Sequence, residues 1–220
     1  MSSSDTPARP HVIVVGGGFG GIASALRCRA LGARVTLIER LDRLGGRAQV
    51  FQIDGFKHDA GPTVITAPFL FEELFELFDE NINDHLKFVP LNPWYRFYFH
   101  DGRTFDYGQD MDAMEKEISS FNPDDVEGYC RLVSESKRIF DIGFTKLSHQ
   151  PFTKFGTMVA QIPSLLALRA DRTVSQLVNR HIKDPMLRRA FSIQPLLVGG
   201  NPFATTSIYS LIQYLERKWG

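Results

Sequence analysis

The stretch HVIVVGGGFGG, residues 11–21, limits the fold more tightly than any other part of the chain. Its first five residues form a short apolar run, mostly β-branched, of the kind that makes a strand buried on both faces. Glycines follow at once. Residues 20–31 then turn to small, helix-tolerant side chains, and Gly32 stands where a helix C-cap would. RVTLIE, residues 34–39, is a second β-branched strand, so the first 39 residues predict one β-α-β unit with tight connections.

Gly16, Gly18 and Gly21 fit G-x-G-x-x-G between that strand and that helix, and Glu39 closes the next strand eighteen residues beyond Gly21. The first glycine permits a tight turn, the second lets backbone approach a pyrophosphate, and the third lets helix and strand pack closely. Phe19 and Gly20 complete the loop at the helix N-terminus, where free N–H groups and the positive dipole end favour phosphate. Glu39 suits a ribose hydroxyl and its charge repels a ribose phosphate, which disfavours NADP, although Arg40 beside it argues the other way. The motif alone does not distinguish NAD from FAD.

A second glycine pair comes soon after, in ERLDRLGGRA (residues 39–48). Gly45, Gly46 and Arg47 lie where a returning chain could bring its backbone close to a nucleotide and set a guanidinium near phosphate or carboxylate oxygens. Taken alone, the triplet favours a surface turn with a solvent-facing arginine.

Further on, residues 48–56 predict a strand entering a turn at Asp54-Gly55, and 57–65 continue extended. Helical spacing returns at 68–79 with an apolar stripe of Phe71, Leu74, Phe75 and Phe78. Asp101-Gly102 predicts a hairpin turn within 94–107. Asn122, Pro123, Asp124 and Asp125 open a helix running to about Phe140. Helical patterns cover 157–168, 174–182 and 185–197, with a last helix after the Gly199-Gly200 break.

Twenty-five basic and 25 acidic side chains leave no basic excess to point to nucleic acid. Cys28 and Cys130 lie far apart with no metal-ligand spacing, which suits a reduced compartment and no metal site. Residues 1–10 read as a disordered leader. The most apolar window, 12–26, is shorter than the roughly 20 residues of a spanning helix. Phenylalanine is in excess at 18 residues, which means either core packing or the lining of an apolar site.

The dinucleotide motif, acid and GGR together resemble the flavoprotein superfamily of amine oxidases, protoporphyrinogen oxidases and carotenoid desaturases. FKHDAGPTVIT (56–66), FNPDDVEGY (121–129) and LLVGGNPFATTSIYSLI (196–212) resemble bacterial-type phytoene desaturases in particular, and the resemblance runs from 11 to 220. It implies FAD, held at Gly16, Gly18, Gly21, Glu39 and Gly45 to Arg47, with Gly61, Pro62 and Thr63 running beside the flavin. It implies desaturation of a C40 polyene, phytoene toward neurosporene or lycopene, drawn from the inner face of the membrane by a cytoplasmic, peripherally bound enzyme. His58, Asp59, His149, Lys154 and Arg169 give no reason to name any of them as a base, so no catalytic residue is assigned.

The expected fold is α/β, with a Rossmann-like FAD-binding part at 11–67. A mixed, largely helical substrate and membrane region follows at 68–220. With one β-α-β unit and no later strands to complete the sheet, the chain reads as an N-terminal fragment whose C-terminal half is absent, inactive alone, with an aggregation-prone sheet edge. The rival readings are a hydroxycarotenoid desaturase or ketolase, a non-enzymatic prenyl- or lipid-binding protein on the same scaffold, and an NAD-dependent reductase.

Overall fold

The computed structural model describes residues 9–61, 64–144 and 168–219. The chain divides into two compact units, 1–88 and 89–220.

In the first unit, β1 (His11–Val15) and β2 (Arg34–Ile38) pair in parallel, His11 opposite Arg34 and Val15 opposite Ile38, and α1 (Phe19–Ala30) connects them. This is the expected β-α-β unit. The alternation of the strands puts Val14 toward Gly21 of α1 and leaves Ile13, Val15 and Ile38 on the other face, 58%, 81% and 50% exposed. The expectation that β1 is buried on both faces is therefore corrected. The apolar pattern calls for cover on two sides, and the described residues of this unit supply one helix on one side.

β3 (Val50–Ile53) and β4 (Phe56–Asp59) form an antiparallel hairpin around Asp54 and Gly55, both with positive φ. That is the geometry an Asp-Gly turn favours. α2 (Phe69–Glu76), expected in the second region, belongs to this unit. Its stripe makes ring contacts: Phe71 meets Phe19 edge-on at 5.3 Å and Phe75 stacks on His85 at 5.2 Å.

The second unit holds most of the buried apolar side chains. Its hairpin, β5 (Tyr95–Tyr98) and β6 (Thr104–Tyr107), turns at Asp101-Gly102 as expected. α3 (Met111–Phe121) starts at an Asp110 cap whose carboxylate accepts the N–H groups of Asp112 and Ala113. α4 (Asp125–Gly143) follows, then α5 (Val174–His181), α6 (Pro185–Ala190) and α7 (Leu211–Trp219). Phe191 is central to the core, stacked on Tyr129 at 4.8 Å and edge-on to Phe105 at 5.5 Å. Part of the phenylalanine excess is thus core packing, with Phe105, Phe140 and Phe191 buried and Phe97, Phe99 and Phe121 packed against the core, while Phe51, Phe56 and Phe203 are exposed.

Two local readings change. Asp125 does not serve the dipole of its own helix from the surface: it is fully buried and accepts the backbone N–H groups of Lys183 (2.7 Å) and Asp184 (2.8 Å), tying the start of α4 to the α5–α6 joint. The helix expected over 185–197 ends at Ala190 and resumes as a 3₁₀ turn over Gln194–Val198. Pro195 supplies the reason, since it has no N–H to donate back and its ring crowds the preceding turn. The helix expected at 157–168 lies, apart from Leu168, outside the described residues. No described helix is long and apolar enough to cross a membrane.

Glu216, on the inward face of α7, is 2% exposed. Its Oε1 accepts from the Tyr95 hydroxyl at 3.1 Å, and its Oε2 has no hydrogen-bond partner among the described residues. Burial pushes its carboxyl up to about 7, against the downward pull of Tyr95 and Arg217. Because the unfolded acid ionises near 4.5, the folded state binds the extra proton between the two values. Stability therefore falls as pH rises from about 4.5 to about 7. Glu216→Gln should flatten that slope and stabilise the protein at pH 8 by on the order of 1–3 kcal/mol. Thermal midpoints at pH 5.5 and 8 check this, and an unchanged slope would contradict it.

Candidate cofactor site

The β1–β2 ladder runs one step past the strands, with the Gly16 N–H donating to the Ile38 carbonyl at 2.7 Å, before the chain turns away. At that point the Gly17 N–H donates to Glu39 Oε2 at 2.5 Å. Glu39 Oε1 accepts the N–H groups of Arg40 (2.7 Å) and Leu41 (2.9 Å). One carboxylate thus fixes the turns that leave both strands. The Leu41 and Gly17 amides hold its carboxyl below the usual range, so it is ionised at neutral pH. A carboxylate offers about four acceptor positions, which leaves Glu39 room for a ribose hydroxyl.

α1 begins directly after this turn. Gly18 is its N-cap and no side chain caps it, and the first helical bond runs from the Ile22 N–H to the Gly18 carbonyl. The amides of Phe19, Gly20 and Gly21 precede that bond, at the positive end of the helix. A Cβ on Gly20 would meet nothing within 4 Å, so the approach to these amides is open there. Gly21 is fixed by packing: a Cβ on it would lie 1.8 Å from the Gly16 carbonyl oxygen.

The second glycine pair closes onto the first turn. The Gly45 N–H donates to the Gly17 carbonyl at 2.8 Å, and Gly18 and Gly45 form a parallel bridge. Gly46 has φ +56° and comes so near Gly18 that a Cβ on it would lie 3.0 Å from the Gly18 Cα. Residues Gly46–Ala48 then make a single 3₁₀ turn. The side chains of Arg40 and Arg47 are exposed and make no ion pair among the described residues. Gly61 rejoins the site at the carbonyl of Arg47, where a Cβ would lie 2.0 Å away. Pro62 and Thr63 lie outside the described residues.

Sequence reasoning missed Gly17 and Leu44. Gly17 is buried, carries both the Glu39 and the Gly45 bonds, and sits under the Leu44 side chain. The run of three glycines was the available signal, since G-x-G-x-x-G asks for no glycine at its second place. His58 and Asp59 stand exposed on β4, and their side chains make no hydrogen bond or ion pair among the described residues.

Two glycine turns and an uncapped helix N-terminus offer backbone donors, and the ionised acid at the end of β2 offers an acceptor, a set that fits a nucleotide diphosphate with its ribose. The sequence of the flavin containing amine oxidoreductase family matches residues 19–220. The chain belongs to that family. A flavin cofactor accompanies the family, which decides between NAD and FAD where the glycine motif did not.

Among individual relatives of this flavin containing amine oxidoreductase, the lycopene-forming phytoene desaturase of Pseudescherichia vulneris is 47% identical over 94% of this chain and 42% of its own length. The neurosporene-forming phytoene desaturase of Rhodobacter capsulatus is 36% identical over 99% of this chain and 42% of its own. The chain thus spans about two fifths of the curated relatives it matches. Among solved structures, putrescine oxidase bound to putrescine superposes with a TM-score of 0.55 at 17% identity, over 92% of this chain and 40% of that one. The likeness establishes the shared fold.

The contact between the two glycine turns is open to a direct test. Gly46→Ala places a Cβ against the Gly18 backbone at a left-handed position and should cost about 1–2 kcal/mol. Urea unfolding of the first unit, followed by hydrogen exchange of the Gly17 and Gly45 amides, measures it. Unaltered protection of both amides would show that the turns do not depend on each other.

Proposed function

We propose that the protein acts as an FAD-dependent carotenoid desaturase, taking phytoene toward neurosporene or lycopene. The observation that carries the reading is the 47% identity to a lycopene-forming phytoene desaturase across nearly the whole chain. The site supports it, because its donor set suits the adenosine diphosphate part of FAD.

In this reading the first-turn amides of α1, at Phe19, Gly20 and Gly21, hold the pyrophosphate. Glu39 takes the ribose hydroxyl with its spare acceptor position and is kept from swinging away by three backbone N–H bonds. Gly45 and Gly46 keep the returning chain flat against the turn, so that Arg47, with Arg40, can offer a guanidinium to phosphate oxygens. Gly61, packed at the carbonyl of Arg47, runs beside the ring system. When bound, the flavin supplies the acceptor for a hydride from an allylic carbon, while a proton leaves the neighbouring carbon. The chain's own part is to bind, orient and shield.

A hydrocarbon substrate dissolves in the membrane, and the proposed setting is peripheral attachment to its inner, cytoplasmic face. Support comes from the loop around the Gly199 turn, where Leu196, Leu197, Val198 and Phe203 are 63%, 47%, 53% and 74% exposed. Apolar groups concentrated on one loop suit shallow insertion between lipid headgroups.

The complete reading frame, placed in cells that accumulate phytoene, should yield coloured polyenes and lower phytoene. No loss of phytoene from a well-expressed protein would overturn the substrate assignment. In the same system Glu39→Gln, which replaces an acceptor with an NH₂ group facing backbone donors, should lower flavin affinity roughly tenfold. Flavin content by absorbance reads this separately from turnover, and unchanged content would remove Glu39 from the site.

A further inference from the structure

In the second unit, two adjoining open clefts of about 530 and 620 Å³ share Arg169, Arg172 and Arg180. Arg131 and Arg138 complete the wall, bringing five guanidiniums to one place. The sequence builds this from two elements. Arg131, Glu135 and Arg138 recur on one face of α4 at helical spacing, while Arg169 and Arg172 lie in the turn before α5 and Arg180 near its end.

The arginines outnumber their local counter-charges. Glu135 is shared three ways, with His181 at 2.8 Å, Arg138 at 3.6 Å and Arg172 at 3.9 Å. Asp171 pairs with Arg169, and Glu127 with Arg131. Arg180 has no ion-pair partner among the described residues. Arg172 is mostly buried, and its Nη1 has no hydrogen-bond partner among the described residues, although buried polar atoms ordinarily find one. Residues 145–167, which join α4 to this turn, contain two lysines, one histidine and no acid, so that segment brings no counter-charge of its own. Arg172 is fixed in place from its backbone: its carbonyl accepts the Ser207 N–H at 2.8 Å, and the next residue, Thr173, caps α5.

We propose that this cleft is an anion site for a phosphate-bearing group, separate from the glycine turns of the first unit. Guanidinium groups converging on a cleft match phosphate oxygens in bidentate fashion, and their shared positive charge draws an anion to it. Two sources present this chemistry, a free phosphorylated small molecule and the headgroup of an anionic phospholipid.

The test compares the full chain with its Arg138→Gln/Arg180→Gln variant, both exposed positions, with circular dichroism to confirm folding. Calorimetric titration with inorganic pyrophosphate is the first arm. Co-sedimentation with phosphatidylcholine vesicles, with and without phosphatidylglycerol, is the second. Pyrophosphate binding that weakens at least about tenfold in the variant assigns the site to a free phosphorylated ligand. Sedimentation that depends on phosphatidylglycerol and is lost in the variant, without pyrophosphate binding, assigns it to a lipid headgroup. Arg180→Gln alone should shift the same reading in the same direction by a smaller factor if the double variant unfolds. The proposal is overturned if neither probe binds, or if both bind the variants as tightly as the unaltered chain.

Discussion

The first unit depends on a contact between two stretches of bare backbone. Gly17 and Gly18 meet Gly45 and Gly46 closely enough for a backbone hydrogen bond and a bridge, and Glu39 secures the turn from the other side through three N–H groups. A side chain on Gly46 would press on the Gly18 backbone, and one on Gly17 would run into Leu44. The start of α1, the end of β2 and the path of the chain to Gly61 all take their positions from this contact, and so does any diphosphate placed at the helix N-terminus.

Much of this was legible from the residues. HVIVV, the glycines and RVTLIE specify β-α-β because strand and helix differ in period and the glycines permit only a tight join. Asp54-Gly55 and Asp101-Gly102 mark their hairpins, with positive φ at Asp54, Gly55 and Gly102. The location of Gly45 to Arg47 beside the nucleotide motif was also readable. Their direct partner was not: the expectation set that backbone near the nucleotide, and in the protein it packs first on Gly17 and Gly18.

What stayed hidden depended on long-range partners. Glu39 was read as a ligand for ribose, yet most of its acceptor capacity goes to backbone amides, and nothing local in the sequence reports that. Asp125 looked like an acid favouring its own helix dipole and is instead a buried tie to residues almost sixty positions away. The break at Pro195 was visible in principle but was overridden by apolar spacing on either side. The arginine cleft gave no periodic signal across the chain, because its members come from two elements separated by residues 145–167. The open face of β1 and β2 shows the reverse case, a pattern that demands more cover than the described residues of its unit provide.

We propose, as the central claim, that the paired glycine turns with Glu39 hold the flavin dinucleotide of this family and not a nicotinamide one. The most direct measurement is an equilibrium titration of the protein made from the complete reading frame, stripped of flavin, with FAD, NAD and NADP in turn. The account requires FAD to bind at one equivalent with quenching of its fluorescence, undisturbed by excess NAD or NADP. Displacement of FAD by either nicotinamide dinucleotide, or saturation by NAD with no uptake of FAD, would contradict it.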